Sequence, residues 1–171
     1  MEQSHLYEQY DFSEPWDGPN NRKLAALMPE VFAFSGLAGE GNTTTNFLAV
    51  VGPETVWPAP AAASRDDVLD GQSRTIMLVE NLGAAVHWME PRDLRFAEMD
   101  FALNTPGGIG SVYDRPAVAT VDDAVRQLDE EISPETLHAL LTIAGGEAVD
   151  ENAERQWRPL LDGRKRPLRA R

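Results

Sequence analysis

The residue types able to do chemistry are sparse in this sequence and poorly spaced for it. Its three histidines, His5, His87 and His138, show no metal-ligand spacing. The nearest approach to a motif is His87-x-x-Glu90, which crosses a strand end ahead of Pro91; two ligands three apart on an extended chain point to opposite faces, so a shared metal is not expected. Asp66, Asp67 and Asp70 beside Gly71 have a faint likeness to a calcium loop, yet they lack its alternating spacing and terminal bidentate Glu, and a solvated turn is the better reading. Ser73 and Ser111 sit in no Gly-x-Ser-x-Gly elbow, and Gly145-Gly146 follows a helix, where a phosphate cradle needs glycines before one. Without cysteine there is neither a thiolate zinc site nor a disulfide framework. On these grounds no catalytic residue, metal ligand or cofactor is assigned.

An aromatic set remains: Tyr7, Tyr10, Phe12 and Trp16. Such sets can stack sugars or bases, but more often they anchor a loop to a core, and an acidic body favours the core. If the segment is instead a ligand surface, used together with the loop Ser35 to Thr45, the residues that carry it are Tyr10, Trp16 and Phe34.

The elements that must position these groups follow from composition and pattern. At 171 residues, 42% hydrophobic and 25% charged, the chain suits one globular domain over 1–150 followed by a basic, flexible tail over 151–171. The formal charge of −13 divides at that point: 1–150 holds 8 Lys/Arg against 25 Asp/Glu, and 151–171 holds 7 against 3. The acidic body repels phosphate backbones, so nucleic acid is not a partner of the folded part. Apolar runs reach only four or five residues, so no membrane span is expected, and the polar start MEQSHLYEQY lacks a signal-peptide core.

The run Ile76 to Val79, entered through Asp70-Gly71 and left through Asn81-Leu82-Gly83, reads as a central strand, with Ala84 to Trp88 returning beside it as a hairpin arm. Apolar on both faces, it needs cover on both. Asn46 to Val51 is a second strand and Val31 to Phe34 a short third. Helices are expected over Ser4 to Tyr10, over Arg22 to Met28 with Asn21 as cap and Pro29 as stop, in a single turn after Pro91, and over Ser133 to Gly145. Ala117 to Leu128 fits either a helix from Asp122 or a hairpin about Asp122-Asp123.

Six segments in order, LYEQYDFSEPWDGPNN at 6–21, MPEVF at 28–32, TTNFLAVVGPETVWP at 44–58, DGQSRTIMLVE at 70–80, VHWMEPRDL at 86–94 and ISPETLHALLTIAGGEAV at 132–149, together resemble a large planctomycete family of unknown function. Its members usually begin with a prepilin-type methylation signal and a hydrophobic helix. The family's His-x9-Asp-Gly pattern is degenerate here, with Val112 at the His and Asp122-Asp123 at the Asp-Gly turn, and Phe34 stands where relatives often have Cys. The resemblance implies the hairpin for Ala117 to Leu128, with Asp123 replacing the turn glycine. It further implies an α+β fold, an antiparallel sheet covered by helices, similar to the globular head of a type II secretion pseudopilin. The chain begins where the family's N-terminal helix has normally ended, so the implied location is the cell envelope, or the cytoplasm if the chain is complete as given.

The function so implied is a non-enzymatic structural or interaction module that binds protein partners or itself. The alternatives are a soluble ligand-binding protein and a metal-dependent hydrolase that draws His87, Glu90 and the Asp66 to Asp70 cluster together. Because some major pseudopilins use calcium, that ion stays open at the Asp66 to Asp70 turn. Without the family's helix some apolar sheet surface should be left over, to be covered by the aromatic segment folding across Ile76 and Leu78 or by a symmetric dimer contact.

Overall fold

The computed structural model of the protein describes residues 3–33, 42–113 and 115–146, and the backbone of 157–159. In chain order it builds α1 (Ser4–Gln9), β1 (Thr44–Thr45), β2 (Phe47–Val51), β3 (Ile76–Glu80), β4 (Val86–His87), β5 (Leu94–Arg95), β6 (Ala117–Thr120), β7 (Val125–Leu128), α2 (Pro134–Ala139) and β8 (Trp157–Pro159), with 3-10 turns between them. The fold is α+β. Within the span read as one domain, contacts group the chain into two compact units, Met1–Phe47 with Ala84–Arg92, and Leu48–Gly83 with Asp93–Arg171. Three residues of the expected tail, Trp157–Pro159, form β8 on the edge of the main sheet; Arg164 to Arg171 lies outside the described residues.

The second unit is organised by β3. The sheet order is β5-β2-β3-β6-β7-β8, antiparallel from β3 through β8, with β5 lying parallel to β2 at the opposite edge. A bulge between Ile76 and Leu78 shifts the strand's alternation by one, so that Ile76 and Val79 enter the same core cluster while Met77 packs against Val56, Val68 and Val121 in another. Both clusters are the cover that an all-apolar strand requires. On the main cluster that cover comes from Leu137, Leu140 and Leu141, and the end of α2 is tied directly to β3 because the Ile76 N–H donates to the Leu140 carbonyl at 2.8 Å.

Several local expectations hold for local reasons. Ser133 caps α2 by accepting the Thr136 N–H at 3.1 Å, and Pro134 fills the first turn. Ala117 to Leu128 is the hairpin β6–β7, although its loop is the three residues Val121 to Asp123 rather than a two-residue turn; Asp123 takes the left-handed position at φ 64°, and the Thr120 N–H closes onto the Ala124 carbonyl at 3.0 Å.

Other expectations are corrected. Ala84 to Trp88 is not a hairpin arm paired with β3: Gly83 and Ala85 both have positive φ, and Val86–His87 pairs antiparallel with Thr44–Thr45 instead. Val31 to Phe34 is no strand. After Pro29 the chain closes i to i+3 bonds from Phe32 and Ala33 and forms a 3-10 turn over Glu30–Phe32, with Val31 60% exposed. The turn after Pro91 is extended, because Asp93 accepts the Ala49 N–H at 3.1 Å and lays Leu94–Arg95 against β2. The last helix ends at Ala139 with Leu140 as its C-cap, well short of Gly145, whose N–H is taken by Asp70 at 2.8 Å; Ala144, expected in the buried stripe, is exposed.

The end of β3 is polar and buried. Glu80 is 1% exposed; its carboxylate accepts a short hydrogen bond from the Ser111 hydroxyl and another at 2.9 Å from the Ala117 N–H, while its carbonyl takes the Gly110 N–H at 2.9 Å. Asn81 beside it donates to the Pro106 and Gly108 carbonyls at 3.2 and 2.5 Å. Removing the hydroxyl takes one hydrogen-bond donor from a buried carboxylate, a loss of about 1–3 kcal/mol. Ser111→Ala is therefore expected to lower the midpoint of thermal unfolding by about 3–8 °C, read by circular dichroism, and an unchanged midpoint would show that the pair adds no net stability.

Candidate functional site

The first unit contains an open groove of about 450 Å³ lined chiefly by Leu6, Tyr7, Tyr10, Phe12, Phe32 and Trp88. It is built from three separate stretches. In α1 the helical repeat buries Leu6 and leaves Tyr7 70% exposed, and the Tyr10 N–H closes the helix onto the Leu6 and Tyr7 carbonyls at 3.1 and 3.3 Å. Phe12 is 68% exposed and packs its ring between two others: its centroid lies 5.2 Å from Tyr7 at 55° and 4.9 Å from Tyr10 at 58°. On the Trp88 side, the indole N–H donates to the Ala25 carbonyl at 2.9 Å and the ring stacks on Phe32 at 5.9 Å.

What holds the exposed rings is a buried amide. Asn21, expected as a helix cap, is fully buried; it accepts the Asp11 N–H at 2.8 Å and donates to the Asp11 and Pro15 carbonyls at 2.9 and 3.0 Å, pinning both sides of Phe12. The N-cap of the following 3-10 helix, Asn21–Leu27, is Asn20, and Glu14 Oε1 accepts the Asn20 and Asn21 N–H groups at 2.8 and 2.7 Å. Asp11 accepts from the Ser13 hydroxyl and N–H, bonds that hold its carboxyl below the usual range. The segment is thus a loop with its own polar interior.

Of the candidate binding residues, Tyr10 lines this groove. Trp16 does not; it is half-buried and stacks on His87, centroids 4.7 Å apart and planes at 29°. Phe34 and most of the loop after it lie outside the described residues. Phe32 and Trp88 were missed because nothing in the local pattern links them to Tyr10: Phe32 read as strand, and Trp88 as part of a hairpin arm.

The residues weighed for chemistry have other work. Among the described residues no group of three or more His, Cys, Asp or Glu is placed to hold a metal. His87 accepts the Met89 N–H on Nδ1 at 3.3 Å. Asp67 accepts the Ser64 N–H in a capping box, which holds its carboxyl low, and Asp70 receives the Gly145 and Gly146 N–H groups at 2.8 and 3.2 Å. Ser111 is 1% exposed and closed off behind the Glu80 bond. A second concavity, of about 570 Å³ in the other unit, lies by Glu54, His138 and Thr142, but Thr142 is bonded to the Ala139 carbonyl, and the His138 ring tilts against Phe96 and Phe101 at 4.9 and 5.0 Å. No helix among the described residues is long and apolar enough to cross a membrane.

Neither family models, nor curated proteins, nor solved structures give a match to this chain.

Burial beside Trp16 lowers the His87 pKa from its ordinary value of 6.5, with the Glu90 charge acting against the shift. The unfolded chain then binds the proton more readily than the folded one. The stability His87 contributes is complete above pH 6.5 and is lost as pH falls from there through the lowered folded value. In urea titrations followed by tryptophan fluorescence, His87→Phe is expected to keep the stack and flatten the pH dependence below 6.5. A slope unchanged by the substitution would assign the titration to another group.

Proposed function

We propose that the protein is a non-enzymatic interaction module that docks a partner through the aromatic groove of its first unit. The observation that carries this reading is the pairing of exposure with order: Tyr7 and Phe12 stand more than two-thirds exposed, yet the loop bearing them is fastened from within by Asn21 and Glu14. Contiguous aromatic surface held open to water is characteristic of contact sites, where large rings with few rotatable bonds add area at low entropic cost. The titratable residues support it from the other side, since Glu80, Asp67 and Asp70 satisfy backbone and hydroxyl donors. The family resemblance carries the finer proposal, that this is the globular head of a pseudopilin-like envelope protein.

Photo-crosslinking in the source cells tests it. With a benzophenone side chain at Phe12, a discrete heavier adduct is expected on irradiation. The same group at Leu69, which is 76% exposed in the other unit, should give none. Irradiated Phe12 protein that stays at the mass of the single chain, or adducts equal at both positions, would overturn the reading.

A further inference from the structure

The chemistry of the groove is specific enough to name the class of partner, an inference that rests on the docking reading above. Five aromatic side chains, Tyr7, Tyr10, Phe12, Phe32 and Trp88, line it together with the aliphatic Leu6, Leu24, Pro29 and Met89. Tyr7, Phe12 and Tyr10 form one contacting ring group and Phe32 with Trp88 a second. The phenol hydroxyls of Tyr7 and Tyr10 have no hydrogen-bond partner among the described residues, so two polar groups are available at a largely apolar surface whose other polar lining side chain is Gln3. The surroundings are acidic. The first unit carries eight Asp and Glu against three Lys and Arg, and Glu8, Asp11, Glu30 and Glu90 adjoin the lining residues Tyr7, Tyr10, Pro29 and Met89 in sequence, with Lys23 beside Leu24 as the basic exception. Glu90 is paired with Arg92 at 3.0 Å, whereas Glu8 and Glu30 are exposed and make no ion pair among the described residues.

We propose that the groove binds an extended, proline-containing peptide flanked by arginine or lysine. A polyproline II segment has no internal hydrogen bonds, so its carbonyls are free to accept from the two phenols, and its proline rings pack flat against aromatic faces with little conformational entropy left to lose. The exposed carboxylates select basic flanks, by attraction that weakens with salt. Other occupants fit less well. A docked helix has its interior backbone carbonyls engaged in its own hydrogen bonds, so it offers the two phenols no free main-chain acceptor. A small apolar ligand would be left open to water by rings still about 70% exposed. An anionic lipid surface is repelled by the unit's charge.

The test is calorimetric titration of the full chain with the blocked peptide Arg-Pro-Pro-Leu-Pro-Pro-Arg. Saturable binding is expected, weakened about tenfold when the peptide's prolines are replaced by alanine and about tenfold by Phe12→Ala, with Tyr7→Phe and Glu8→Lys each weakening it about threefold. Near-ultraviolet circular dichroism confirms that each variant keeps its fold. Absence of saturation to about 1 mM, equal affinity for the alanine peptide, or affinity unmoved in both Phe12→Ala and Tyr7→Phe overturns the proposal. So does preferred, Phe12-dependent binding of an amphipathic leucine-lysine helix or of phosphatidylserine vesicles. If the peptide fails while the Phe12 crosslink in cells persists, the docking reading stands and only the partner's chemistry is wrong.

Discussion

The carboxylate of Glu80 imposes the constraint on which most of the second unit depends. A charged or polar group taken out of water must find partners inside the protein, and the end of β3 buries two such side chains in succession, Glu80 and Asn81. The segment 106–117 supplies partners to both: the Ser111 hydroxyl, the Ala117 and Gly110 N–H groups, and the Pro106 and Gly108 carbonyls. A stretch rich in glycine, which would otherwise have many conformations open to it, is thereby held to the strand at five points. Ile109, at the centre of that stretch, is fully buried among Val79, Leu128 and Leu137 as a result. Polar satisfaction at the strand end and apolar packing in its middle are one arrangement, and β6 begins at Ala117, where the last of those hydrogen bonds is made.

This coupling explains which parts of the fold were legible in sequence. Features decided within a few residues were readable: the turn at Gly71, the Ser133 cap with Pro134 behind it, the apolar run of β3. The β6–β7 hairpin was a borderline case. Its residues fit a helix as well, and the strand form is favoured by contacts far away, since the Val121 and Asp122 N–H groups donate to the Thr75 and Gln72 carbonyls at the entry to β3. Features decided by distant partners were not readable. Nothing local tells Val86–His87 to pair with Thr44–Thr45, or Leu94–Arg95 to run parallel to β2 once Asp93 has found the Ala49 N–H.

The groove was half legible for the same reason. The aromatic set from Tyr7 to Trp16 stood out in sequence, and the choice between a core anchor and a ligand surface has a divided answer: Trp16 turns to His87, while Tyr7 and Phe12 stay exposed. The two outcomes are linked through Asn21. Read as a cap, it would have ended its influence at one helix turn. Buried, its amide bonds both flanks of the segment, and the loop is rigid without having to sink its rings into a core.

That rigidity bears on what the exposed rings are for. Leaving aromatic faces in water forgoes roughly 25 cal/mol for each Å² that burial would have removed, so a loop free to move would tend to fold its rings inward. Here the backbone is fixed by groups that do not involve the rings, and the inward movement would break the Asn21 and Glu14 hydrogen bonds at a cost of about 1–3 kcal/mol for each buried group left unpaired. The apolar surface is therefore preserved in the unbound protein. A partner docked there, as proposed, would gain the burial without ordering the loop first, which is where preorganised sites draw their affinity.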